Sequence, residues 1–130
     1  MQKNEAFTMD GIAYNVRVSR LTRKFSIQDT DKTGRTQDGE MYRDIVGTFY
    51  NYEMTVEQKD GDKASLDNLW EAISQPQASH VCEFPYNQEV MTQRMYVTSG
   101  EQELISRSAR GNVWGELNIS YIAMSPKVVP

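Results

Sequence analysis

The run from Gly111 to Pro126 constrains this chain more than any other segment. Val113, Leu117, Ile119 and Tyr121 alternate along it with Glu116, Asn118 and Ser120. A two-residue apolar period belongs to an extended strand with one face on a core and the other in water. The spacing predicts one long strand over 111–126, and much of the remaining chain is patterned in the same way.

Ala6 to Met9 and Ile12 to Tyr14 flank Asp10-Gly11, a pair suited to the two positive-φ positions of a type I′ hairpin turn. Val16 to Ile27 is strand-like but changes phase. Val16 and Val18 share one parity, Leu21, Phe25 and Ile27 the other, and a bulge near Ser19-Arg20 reconciles the halves. Gln28 to Glu40 is polar, carries Gly34 and Gly39, and reads as a loop. Met41 to Gln58 is a second long strand, with Val46, Tyr50, Tyr52, Met54 and Val56 on one face and Ile45 and Phe49 on the other. Lys59-Asp60-Gly61-Asp62 ends it as a turn.

Ala64 to Ser74 has the one helical pattern. Leu66, Leu69, Trp70 and Ile73 form a single apolar stripe, with Asp62 or Ser65 as cap and Pro76 beyond the end. Strand signals resume at 80–84, 91–99, 104–109 and 113–124, with turns expected at Ser99-Gly100-Glu101 and Arg110-Gly111-Asn112. Six or seven strands and one helix predict a mainly β fold. The expected architecture is a β-sandwich or partly open, split barrel, with the amphipathic helix packed over one end or face.

The 130 residues fit one domain, 1–130, with a core that needs no disulfide or metal staple. A net charge of −4 gives no reason to expect nucleic-acid recognition. Arg17, Arg20, Arg23 and Lys24 form the only basic cluster, expected on a solvated or subunit-facing edge. Cys82 is the single cysteine, so no internal disulfide and no cysteine-based zinc site can form. No apolar stretch approaches the roughly 20 residues of a membrane helix, and no signal peptide is visible behind the polar start. Synthesis without export is the expectation.

Three constellations bear on chemistry. Asp29, Asp31, Thr33, Gln37 and Glu40, with Gly34 between them, match a twelve-position calcium loop, whose spacing wraps oxygens around a hard cation. The flanking segments read as strands, however, and a polar connecting loop collects Asp, Thr and Gly on its own account. His80 and Cys82 share a strand face as base and thiol, yet no third orienting group or oxyanion loop is recognisable, so Cys82 reads as a small core residue. The seven tyrosines divide between core packing and a contact surface, where tyrosine is enriched. The balance is against an enzyme, and no cofactor is expected.

Gly34 to Tyr52, followed in order by Leu69 to Pro76, Val81 to Tyr86 and Trp114 to Pro126, resembles segments of small prophage proteins of Gram-positive gut bacteria. The order of elements is also similar to phage tail tube proteins and to the first domain of distal tail proteins. That resemblance implies a sandwich or split barrel with one flanking helix, assembled into hexameric rings. This sequence departs from that pattern in one respect: such subunits usually carry a long inter-strand hairpin that builds the tube wall, and here only Met41 to Asp62 with its partner strand could be long enough, which counts against a tube-forming role.

The resulting expectation is a virion structural protein, made in the bacterial cytoplasm and tail-associated in the sense the resemblance implies. It would act by self-assembly with other copies and other virion proteins, with no membrane partner. A head–tail connector or tail-completion protein is the alternative within that class. A calcium- or carbohydrate-binding β-sandwich module, using Asp29, Asp31, Thr33 and Glu40 if calcium is the ligand, is the alternative outside it. The residues expected at subunit contacts are Arg43, Tyr50, Tyr52 and Trp114.

Overall fold

A computed structural model describes residues 6–37, 39–59 and 61–130. The first strand, β1 (Thr8–Met9), leads into β2 (Val16–Asp29). A two-rung ribbon, β3 (Gly34–Arg35) with β4 (Met41–Tyr42), separates β2 from β5 (Ile45–Gln58). Then come α1 (Lys63–Ile73), β6 (His80–Tyr86) and β7 (Glu89–Glu101). A second ribbon, β8 (Leu104–Ser108) with β9 (Gly111–Trp114), precedes β10 (Leu117–Ala123). Six strands form one antiparallel sheet in the order β1-β6-β7-β10-β5-β2. The expectation of a β-rich fold with one packed helix is met.

The sheet is strongly curled. β6 and β5 are separated by β7 and β10, so in a flat sheet three strand spacings of about 4.8 Å would hold them roughly 14 Å apart. Phe84 of β6 nevertheless stacks on Tyr52 of β5, with ring centroids 4.5 Å apart. The Tyr52 hydroxyl donates to the Pro85 carbonyl at 2.8 Å. Tyr121 meets Phe84 edge-on at 5.1 Å, and Phe7 lies near parallel to Phe84 at 6.0 Å. The two halves of the sheet thus face one another across an aromatic centre, sandwich-like in section but continuous through β7 and β10.

Local chemistry explains the elements. Asp10 and Gly11 adopt φ of 54° and 81°, and Met9 and Ile12 exchange both backbone hydrogen bonds at 3.0 Å, which is the expected type I′ turn. The register of β2 on β5 shifts between Val18 and Arg20, where the phase change placed a bulge. Asp62 caps α1: its carboxylate accepts from the Ser65 amide at 3.1 Å and the Asn15 side chain at 2.9 Å. Leu66, Leu69 and Ile73 bury against the same core as Met54, Val56 and Leu117.

Several expectations are corrected. The 111–126 run divides at Gly115-Glu116 into β9, which belongs to the ribbon, and β10, which belongs to the sheet. Gly100 is not in a turn: β7 continues through it to Glu101, pairing Gly100 with Ile119. A Cβ there would lie 3.3 Å from the Ile73 side chain, so the glycine makes room for the helix rather than reversing the chain. Trp70, expected in the buried stripe, stands at its exposed margin. Within 28–40 the loop contains a ribbon strand, and β2 runs on to Asp29. The turn before α1 is bridged by Lys59 and Asp62, while Asp60, like residues 1–5, lies outside the described residues.

β2 and β5 are 14 residues each, and their ladder outruns the rest of the sheet. β10 pairs with β5 only from Tyr52 to Val56. β2 continues on β5 from Lys24↔Asn51 to Asp29↔Ile45, forming an arm beyond the body. The chain after β10 is strapped to that arm: the Thr48 amide donates to the Val128 carbonyl at 2.8 Å and the Lys127 amide to the Thr48 carbonyl at 2.9 Å.

Candidate functional surface

The arm extends the core face of the sheet into solvent. After the bulge, Leu21, Arg23, Phe25 and Ile27 share one face of β2, opposite Met54, Tyr52, Tyr50 and Thr48. Near the body that face is covered, and Tyr50 packs on Tyr86 with ring centroids 5.3 Å apart. Beyond it, Phe25 is 69% exposed and Ile27 44%. Met41 and Tyr42 on the neighbouring ribbon are exposed as well. Apolar side chains continued past the end of a core mark a contact surface more often than isolated exposed ones do.

The four residues expected at contacts meet different fates. Tyr52 is 2% exposed and belongs to the aromatic centre, so its place on the expected contact surface is corrected. Its face was read correctly, but the curl of the sheet covers it. Tyr50 is half-buried between the arm and Tyr86, and its carbonyl accepts from the Gln93 side chain at 2.8 Å. Arg43 is exposed beside the ribbon and pairs with Asp29 at 2.8 Å. Trp114 lies at the end of β9, partly exposed, on the helix side of the molecule. The four do not form one patch.

The calcium-loop spacing resolves into other contacts. Asp29 ends β2 and is held by the Arg43 guanidinium. Thr33 exchanges hydrogen bonds with the Asp44 backbone, donating at 3.3 Å and accepting at 2.8 Å. Asp31 and Glu40 are exposed, and the Glu40 carbonyl accepts from the Thr36 amide. Among the described residues, no three His, Cys, Asp or Glu side chains gather as a metal-binding group.

His80 and Cys82 do share a buried face, and the orienting group that sequence reasoning missed is Asp10. The His80 Nδ1 lies 2.7 Å from one Asp10 oxygen, and the Val81 amide donates to the other at 2.9 Å. Only the tertiary pairing of β1 with β6 brings these residues together. Burial alone would raise the Asp10 carboxyl, but the hydrogen bonds from His80 and Val81 outweigh it and hold the group below the usual carboxylate range. Cys82 has no exposure, and burial followed by the Asp10 charge pushes its thiol up to about 12. A thiol in that state is a packing group, not a nucleophile.

The basic cluster lies on β2, an edge of the sheet. Arg17 pairs with Glu57 at 3.2 Å and Lys24 with Glu53 at 2.6 Å, while Arg23 donates to Asn87. Arg20, beside the bulge, is exposed with no ion-pair partner among the described residues. Both tryptophans of the chain line one groove of about 370 Å³ with Asp67, Glu71 and Gln102. Among the described residues, no helix is long and apolar enough to cross a membrane. Compared with known proteins, the sequence matches no protein-family profile and no curated protein.

Proposed function

We propose that this chain is a structural subunit of a phage or prophage virion, tail-associated, which works by assembling with copies of itself into rings. The observation that carries the reading is the β2–β5 arm. Its two 14-residue strands are long enough to serve as the inter-strand hairpin of a tail tube subunit, and its apolar face passes from the core into water at Phe25 and Ile27. A surface of that kind is stabilised by burial against another chain rather than by solvent. The β2 edge carries basic side chains and a bulge, devices that discourage uncontrolled strand addition while leaving side-chain contacts open. Closed rings remove such surfaces from water altogether.

The test is light scattering over a concentration series at low and physiological salt. The reading predicts a closed species of fixed copy number, six being the number the resemblance implies. A chain that remains monomeric throughout contradicts it.

A further inference from the structure

Tryptophan is the side chain with most to gain from burial, yet Trp70 and Trp114 stand at the walls of one open groove, 36% and 37% exposed. Asp67 and Glu71 occupy the same groove, one helical turn apart on α1. Like charges at that spacing repel. Glu71 also lies in the last turn, where the negative end of the helix dipole disfavours an anion and no basic residue offsets it. Lys63, one turn before Asp67, reaches instead toward the Arg110 carbonyl at 3.5 Å. None of the ion pairs among the described residues engages Asp67 or Glu71. Two indoles lining a groove with two carboxylates that no ion pair engages suit a planar cation.

The same chain carries the complementary surface. Arg20 follows the bulge of edge strand β2, exposed and in no ion pair among the described residues, on an open face it shares with Lys24, Glu53 and Glu101, within a cluster that includes Arg17. We propose that the Trp70–Trp114 groove is the docking site for the basic β2 edge of a second copy, with Arg20 as the entering cation. The inference rests on the self-assembly reading and names one of its contacts. Groove and edge are different surfaces, so the contact is heterologous: each copy offers a groove to one neighbour and an edge to the other, and the series ends by closing. The bulge and the charges on β2 favour side-chain docking over strand addition.

The test uses sedimentation velocity on the full chain with two charge-reversed variants, D67K/E71K in the groove and R20E on the edge. Each variant alone is expected to associate at least about tenfold more weakly than the parent, as for a central contact residue. Mixed in equal amounts they should recover assembly, because the reversed groove meets the reversed edge. D67K/E71K should melt close to the parent, since it exchanges one like-charge pair for another and places a cation in the last turn, where the helix dipole favours it, and this separates lost docking from misfolding. R20E, on an exposed strand edge, provides the same reading if the helix variant fails to fold. Variants that assemble like the parent overturn the groove contact and leave self-assembly standing. Weakened variants whose mixture stays dissociated overturn the pairing of Arg20 with the groove. A parent that never assembles overturns both the contact and the reading beneath it.

Discussion

A double-mutant cycle on Tyr52→Leu and Phe84→Leu tests whether the sheet curls as described. The two rings stack at 4.5 Å although three strand spacings separate their strands. In a flat sheet, the roughly 14 Å between those strands would leave the rings uncoupled. Each substitution alone should cost about 1–3 kcal/mol, within the tolerance of a domain whose whole stability is about 5–15 kcal/mol. The stacked pair should add a coupling of about 0.5–1.5 kcal/mol, so the double variant loses less than the sum of the singles. Tyr52→Phe is the control: it keeps the ring and loses the bond to the Pro85 carbonyl, for about 1 kcal/mol. Urea denaturation followed by far-ultraviolet circular dichroism supplies all the values. Additivity within about 0.3 kcal/mol would refute the curled geometry.

Gly47→Ala should unseat the C-terminal strap, because a Cβ at that position would lie 2.7 Å from both the Val128 carbonyl and the Pro126 side chain. Hydrogen exchange at the Thr48 and Lys127 amides should accelerate, and unchanged protection would show that the strap does not depend on the glycine. Asp10→Asn tests the His80 contact with little backbone disturbance, since asparagine tolerates the positive φ of the turn. The depressed Asp10 carboxyl contributes stability that is fully present above its unfolded value near 3.8 and is lost as pH falls through the lower folded value. The stability gap between parent and variant should therefore narrow as pH falls from about 5 toward 2; a constant gap would count against the assignment. Cys82 should resist thiol reagents at neutral pH until urea unfolds the chain, and stoichiometric labelling of the native protein within minutes would contradict its burial.

Local chemistry was legible in the sequence where it acts over a few residues. Asp10-Gly11 encodes its turn by backbone preference, and the parity change between Val18 and Leu21 encodes the bulge. The helix was visible from the spacing of Leu66, Leu69 and Ile73, all of which are buried. Misreadings arose where tertiary packing decides the role of a locally ambiguous residue. Gly100 reads as a turn signal because the helix that needs its missing side chain is distant in sequence. Tyr52 and Tyr50 share a face, yet the curl buries the first and leaves the second half-covered. Phe25 and Ile27 have the parity of core residues, and only the length of β10 shows that no core lies beneath them. The Asp10–His80 contact spans 70 positions, beyond any local spacing.

Phe25→Ser combined with Ile27→Ser removes the arm's apolar face, the proposed contact surface between copies. Phe25 stands largely in water and Ile27 a little under half, so the double variant should unfold within about 1 kcal/mol per site of the parent. Native mass spectrometry of the two proteins side by side then gives the copy number. A closed oligomer is expected for the parent and folded monomers for the variant. An oligomer of the same copy number in the variant would contradict a contact there.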